Sequence, residues 1–232
     1  MLVSENSVAY SMMELYRASN KVTDSLDIRL FRDWSKEARA LILKQRLDTN
    51  NGINEAWVQD LGDIEMEQVD SSIYLTAPSE KYMLRSVKDI PYTIGRKNSI
   101  GTFVRIGPAD RLDIKFNLVS YDRALYSGNG RFNNNDVYAF LDGKKLCLIS
   151  KANLHKLIKR IHIRGVFMNP QEAYEFRYGA NTWDGTQLYP ISEEVVTDMK
   201  TIIMDKNLKF ALVQTEDKVS DGTDSTVLTR LK

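Results

Sequence analysis

The chain is short of the residues that metal cages, disulfide frameworks and covalent catalysis depend on. Of 232 residues, one is cysteine, Cys147, and two are histidine, His155 and His162. A single thiol closes no intrachain disulfide and builds no cysteine cage, and it points to a reducing setting. Cys147 lies between Leu146 and Leu148 in an apolar stretch, which fits a buried inert thiol better than a nucleophile. The histidines stand seven apart in a strand-like region and do not form the i, i+4 pair of a helical zinc site, so no metal ligands are assigned. No apolar run approaches the ~20 residues of a membrane-spanning helix. The opening residues carry neither the basic region nor the apolar core of a secretory signal, and assembly in the cytosol is the expectation. Charge of one sign is lacking too. Lys and Arg number 32 against 31 Asp and Glu, a net charge of +1, which argues against wholesale wrapping of nucleic acid. Neither a phosphate-cradling Gly-x-x-x-x-Gly-Lys loop nor a Gly-x-Ser-x-Gly elbow occurs, and no repeat of fixed period is visible. No catalytic residue and no cofactor are assigned.

What is present is an ordinary folded composition, 43% hydrophobic and 27% charged. The length suits one sizeable domain or two small ones. Val8, Met12, Leu15 and Tyr16 recur at helical spacing, with a break at Ser19-Asn20. Ser25 is placed to cap a second helix, in which Leu26, Leu30, Phe31, Trp34, Ala38, Leu41 and Gln45 form the apolar stripe. Arg32, Lys36, Arg39, Lys44 and Arg46 mostly lie off that stripe, and Asn50-Asn51-Gly52 ends the helix. From Trp57 the pattern changes to strands. Asp63 to Glu67 alternates with period two, and Pro78, Pro91 and Pro108 space the following segments. Residues 137–149 read as a hairpin with a type I′ turn at Asp142-Gly143. Leu157 to Phe167 reads as a further strand. Asn169 is placed at an N-cap, Pro170 at N1, and Glu172 at N3 where it can close a capping box. Ser192 caps a last helix to about Phe210, with Val195, Met199, Ile202 and Ile203 on its apolar face. The expected class is α+β, with N- and C-terminal helices packed with a central, mostly antiparallel β domain. The expected divisions are a helical region 1–50 packing with 192–211, a β-rich domain 51–190 containing a short helix 170–178, a C-terminal helix 191–212 and an extended tail 213–232.

Two charge clusters bear on function. Asp60, Asp63, Glu65, Glu67 and Asp70 crowd one strand region. A two-carboxylate hydrolase site can be drawn from them. A solvated strand face is the favoured reading, and acids lining a channel would also keep DNA from its wall. From Gly143 to Gln171 there are seven basic residues and no acid: Lys144, Lys145, Lys151, Lys156, Lys159, Arg160 and Arg164. A solvated β face and a protein interface fit this segment equally well. Direct DNA binding fits less, because aromatics do not interleave with the charges as in single-strand binders. The candidate interface is Lys144, Lys145, Lys156, Lys159, Arg160, Arg164 and the aromatic Trp183.

Several short pieces, taken together and in order, resemble a virion structural protein of the crAss-like bacteriophages, of the head–tail connector (adaptor or ring) type. They are Ala38-Arg39-Ala40 and Lys44-Gln45-Arg46, then Ala56 to Gly62, Arg105 to Arg111 and Phe116-Asn117. The series closes with Arg164 to Phe167, Asn169-Pro170, Glu172-Ala173 and Tyr189-Pro190-Ile191. The likeness covers roughly Ser25 to Asn207. It implies a non-enzymatic subunit of a ring beneath the portal, at the head–tail junction of the virion. The implied partners are the portal, neighbouring ring or tail proteins and further copies of itself, with a dodecamer to match a twelvefold portal. Genomic DNA would pass through the channel without sequence-specific binding. Other virion accessory roles, in tail or capsid, and a nucleic-acid-binding β domain are the alternatives.

Overall fold

The computed structural model describes residues 3–20, 27–49, 52–70, 82–95, 101–126, 136–151, 153–154 and 158–208. Its elements run α1 (Glu5–Asn20), α2 (Ile28–Thr49), a 3-10 turn (Glu55–Trp57), β1 (Gln59–Val69), β2 (Tyr82–Ser86), β3 (Phe103–Pro108), β4 (Asn117–Leu118), α3 (Tyr121–Tyr126), β5 (Tyr138–Asp142), β6 (Lys145–Ser150), β7 (Arg160–Gly165), α4 (Pro170–Tyr178), α5 (Glu193–Ile202) and a π-helical turn (Ile203–Leu208). Helices at both ends and a mostly antiparallel sheet between them make the protein α+β. The chain divides into two compact units, Met1–Ile42 with Gly185–Lys232, and Leu43–Asp184. Ser25, Leu26, Asn50, Asn51, Pro78, His155, Lys156, Leu157, Phe210 and the tail lie outside the described residues.

In the first unit, Ser4 and Ser7 start α1 with a reciprocal cap. The Ser7 amide donates to Ser4 Oγ at 3.1 Å, and the Ser4 amide donates to Ser7 Oγ at 3.0 Å. Residues 185–189 run beside that first turn. Ser4 and Leu188 form an antiparallel bridge, and the Tyr189 amide donates to the Val3 carbonyl at 2.8 Å. Val8, Ala9, Met12 and Tyr16 are the buried positions of α1, at the expected helical spacing. Leu15 is exposed, one position off that face. On α2 the buried stripe is rotated from the expected one. It contains Phe31, Ser35, Ala38, Arg39 and Ile42, while Leu41 and Gln45 face solvent. The reason is Arg39, whose charged head has polar and aromatic partners waiting for it, described below. Ser35 is accommodated by donating to the Phe31 carbonyl at 2.6 Å. α5 buries Val195 and Met199, and Ile203 continues that face into the π-helical turn. Ser192 stands at the α5 N-cap but its side chain makes no capping bond there.

The second unit is a seven-stranded sheet in the order β3-β7-β1-β2-β6-β5-β4. All pairs are antiparallel except β4 with β5. The eleven-residue β1 serves two neighbours in turn: Gln59 to Glu65 pair with β7, and Met66 to Val69 pair with β2. The two edge strands approach each other where the Phe116 amide donates to the Ile106 carbonyl at 2.7 Å, so the sheet curls toward a barrel. Pro108 ends the edge strand β3, where its missing amide costs no ladder bond.

Alternation along β2, β5 and β6 feeds two apolar clusters. Leu84, Ala139, Leu146 and Leu148 join Leu61, Ile64, Ile106, Ile161, Ile163 and Phe167 on one face, with Ala173 and Phe176 of α4 packed there. Met83, Phe140, Cys147 and Ile149 join Val119 and Ala124 on the other face. Strand β6 is therefore buried on both faces, and Cys147 is fully buried. The β5–β6 hairpin forms, but its turn is Gly143-Lys144, closed by the Asp142–Lys145 pair. Gly143 has φ 58° and neither Asp142 nor Lys144 has positive φ, which is the type II′ pattern rather than type I′. Asn169 caps α4, its Oδ1 accepting from the Gln171 amide at 3.1 Å, with Pro170 following as expected. Glu172 does not close a capping box; its carboxylate pairs instead with Lys144 at 3.6 Å.

Candidate functional site

The densest arrangement of functional groups lies where β1 and β7 pair, and a β-bulge creates it. In a regular strand, residues three apart face opposite sides. The register slips between Asp60 and Gly62, Gly62 takes the left-handed φ of 74°, and its amide donates to Asp60 Oδ1 at 2.7 Å. The extra residue turns Leu61 and Ile64 both into the core and leaves Asp60 and Asp63 both outward. His162, opposite Asp63 on β7, then sits between the two carboxylates. Its Nε2 is 3.3 Å from Asp60 Oδ1, and its Nδ1 is 3.2 Å from Asp63 Oδ1. Arg177 of α4 reaches Asp60 Oδ2 at 3.1 Å, and Arg160 reaches Asp63 Oδ2 at 3.4 Å. The result is a continuous ladder, Arg177–Asp60–His162–Asp63–Arg160, in which carboxylates alternate with basic side chains.

The basic segment is split by the fold. Arg160 and Arg164 stand on β7, and Arg164 Nη2 donates to Glu55 Oε2 at 2.9 Å. Lys144 and Lys145 stand at the β5–β6 turn, where Lys145 meets Asp89 at 3.0 Å and Lys144 lies over the Tyr92 ring at 4.9 Å. Lys159 is exposed and, among the described residues, has no side-chain partner. Lys156 lies outside the described residues. Trp183 is half-buried, its ring edge-on to Tyr174 with centroids 5.3 Å apart. The structure thus brings Arg160 and Arg164 together with acids, keeps Lys144 and Lys145 at a separate turn, and sets Trp183 in an aromatic pair after α4.

The acidic strand is equally committed. Besides Asp60 and Asp63, Glu67 Oε1 accepts from Arg85 Nε at 3.0 Å and from Arg85 Nη2 at 2.8 Å. A carboxylate whose oxygens are taken up by guanidinium donors has fewer of them free to meet another group. Among the described residues, no cluster of three or more His, Cys, Asp or Glu is arranged to hold a metal ion. Beside the ladder runs a groove of about 640 Å³ with Leu61, Ile64 and Phe176 among its walls, and Lys88 covers the Phe176 ring at 5.6 Å. Sequence reasoning treated His162 and the acids as separate. The signal that joins them is Gly62 inside a strand pattern, which marks a bulge.

The pieces that carry the family likeness occupy packing positions. Arg39 of α2 is fully buried, its Nε donates to the Pro190 carbonyl at 3.1 Å, and its guanidinium lies 5.8 Å from the centre of the Tyr189 ring. Burial lowers the Arg39 guanidinium to about 10, against the pull of Tyr189 in the other direction, and it stays a cation near neutrality. Burial also raises the Tyr189 phenol above its ordinary range; Arg39 opposes this and Glu5 adds to it. Glu5, itself buried, is 3.6 Å from Lys36. In the second unit Arg105 gathers its own loop by donating to the carbonyls of Arg111, at 3.1 Å, and of Leu112. A side chain at Gly107 would collide with the Ile114 carbonyl, and one at Gly165 would meet the Thr102 carbonyl at 2.8 Å.

A family model described as phage tail ring protein 2 matches residues 8–226. Among curated proteins no match was found.

Proposed function

The chain belongs to the phage tail ring protein 2 family, and from that premise we propose that it is a non-catalytic subunit of a ring at the head–tail junction, stacked beneath the portal. A tail ring protein is a structural component of the virion. The finer position, against the portal and around the exit channel for DNA, is the reading advanced here. One observation supports it above the others: the positions of the family likeness include a buried arginine, tight glycines and a helix cap, which specify shape. The ladder on β1 and β7 points the same way. Its carboxylates and cations neutralise one another, which leaves little free positive charge to hold passing DNA.

A closed ring of identical subunits needs a heterologous interface, with two different patches on each copy. We assign one patch to the faces bearing Lys144, Lys145, Lys159, Arg160, Arg164 and Trp183, with Lys156 beside them in sequence. Twelve copies would match a twelvefold portal. The test is mass by light scattering on the purified chain, alone and with the portal of the same phage. A complex with the mass of a ring on the portal is expected. A chain that ignores the portal while joining another tail or capsid protein would move it to a different place in the virion. Retention on DNA that weakens steeply with salt would replace the reading with a nucleic-acid-binding one.

A further inference from the structure

Among the described residues, the curled sheet of the second unit is not closed. Strands β3 and β4 are its two ends, and the chain beside them meets at the Phe116–Ile106 hydrogen bond. Beyond that contact they diverge around a cleft of about 420 Å³. Phe103, Ile106, Phe116 and Leu118 line it, and Lys115 and Arg123 stand on its rim. Both cations are exposed, and neither has an ionic partner among the described residues. This sets them apart from the ladder, where the cations Arg160 and Arg177 each face an acid. Edge strands flanking a cleft form a template for one more strand, and a basic rim favours a segment that carries acids.

We propose that this seam takes residues 225–231 of a second copy as an added strand. Those residues, Ser225-Thr226-Val227-Leu228-Thr229-Arg230-Leu231, are rich in β-branched types. Laid in the cleft, one face of such a strand would present Val227 and Leu231 toward Phe103 and Leu118 on its wall. The stretch just before them holds Glu216, Asp217, Asp221 and Asp224 against the single Lys218. That run enters past Lys115 and Arg123 with the complementary charge. At about 3.3 Å per residue when extended, the stretch from Leu208 to Ser225 could span up to roughly 50 Å. A tail strand completing each neighbour's sheet gives the head-to-tail contact that a ring requires. The inference takes its second copy from the ring reading, while the cleft, its rim and the tail sequence stand apart from it.

The experiment mixes two full-length preparations, one carrying Asn117→Cys in β4 and the other Leu228→Cys, with the portal present, under mild oxidation. The native Cys147 is fully buried and out of reach. A disulfide-linked pair of the two chains is expected, well above a control that pairs Leu228→Cys with Tyr178→Cys on α4. Adding Lys115→Glu and Arg123→Glu to the cleft chain should lower the cross-linked fraction by about fivefold or more. Cross-linking no greater than the control overturns the proposal. So does a double variant, Asn117→Cys with Leu228→Cys, that links only within one chain. Light scattering on the same samples separates the two claims. Linked chains without a ring retain the added strand and discard the ring reading, and a ring without linked chains does the reverse.

Discussion

In the unit built from the two ends of the chain, Arg39 has no solvent exposure and its Nε donates to one carbonyl 3.1 Å away. In the sheet unit, Arg160 keeps 60% of its side chain exposed while facing Asp63 at 3.4 Å. Both arginines are held, and the consequences differ. A buried cation interacts through a low effective dielectric, and removing it strands the groups built around it. A cation at the surface loses little water on pairing, gains little Coulomb energy and is screened by salt. The first unit therefore uses charge to fix one packing arrangement of chain ends far apart in sequence. The second uses charge to neutralise a surface whose shape the apolar core already fixes.

The sharpest way to break this contrast is Arg39→Ala. Truncation leaves a cavity beside Tyr189 and an unsatisfied Pro190 carbonyl, and the expected loss is about 3–5 kcal/mol in urea unfolding. Arg39→Lys should recover little, because a compact ammonium cannot both reach the carbonyl and cover the ring. A loss below about 1 kcal/mol would put Arg39 in the same class as the surface cations.

The neighbouring phenol gives a pH signature of the same burial. Tyr189 holds its proton to higher pH in the folded chain than in the unfolded one. Its contribution is complete below the ordinary phenol pKa and fades as pH rises above it. Arg39 runs the other way. Lowered to about 10, it sheds its proton in the folded chain first, so its contribution improves as pH rises from there toward the ordinary arginine value. Tyr189→Phe removes the first effect and keeps the second. Above the phenol range the wild type should lose up to about 1.4 kcal/mol per pH unit relative to the variant. Urea midpoints of both proteins, taken below and above that range, supply the check; parallel curves would contradict it.

Gly62→Ala probes the ladder through its backbone. The φ of 74° disfavours any side chain with a Cβ, and the expected cost is about 1–2 kcal/mol. If the bulge straightens to relieve the strain, Asp60 turns away from His162. The His162 ring resonances should then shift, as they would in Asp60→Asn. A variant with wild-type stability and unchanged His162 resonances would show that the bulge does not depend on glycine.

These sites also show which features can be read along the chain and which cannot. The α+β class, the hairpin and the Asn169-Pro170 cap follow from local rules, because alternation, a turn glycine and a capping pair act over a few residues. The buried face of α2 was misread at Arg39. Hydrophobic periodicity excludes a cation unless its partners are known, and these are Tyr189 and Pro190, about 150 positions later. Glu172 was misread for the same reason, since Lys144 comes from a hairpin and competes with the local cap. The His162 ladder was missed because one bulge residue reverses which side chains share a face. The misreadings at Arg39 and Glu172 concern polar groups whose partners are distant in sequence, whereas the hairpin turn, found one residue later than expected at Gly143-Lys144, and the missing Ser192 cap bond are local ones.

The smallest expected effect lies at the exposed end of the comparison. Arg160→Ala and Arg164→Ala each remove one half-exposed ion pair, with Asp63 and Glu55 respectively. Each should cost less than about 1 kcal/mol, and molar salt should erase most of that cost. The variants should differ from Arg39→Ala in kind as well as size, because the losses at β7 shrink with salt while the buried loss persists. If Arg160→Ala instead cost several kcal/mol regardless of salt, the ladder would be acting as a cooperative network through His162. The sheet unit would then depend on charge for its fold as the terminal unit does, and its surface would be a specified structure in its own right.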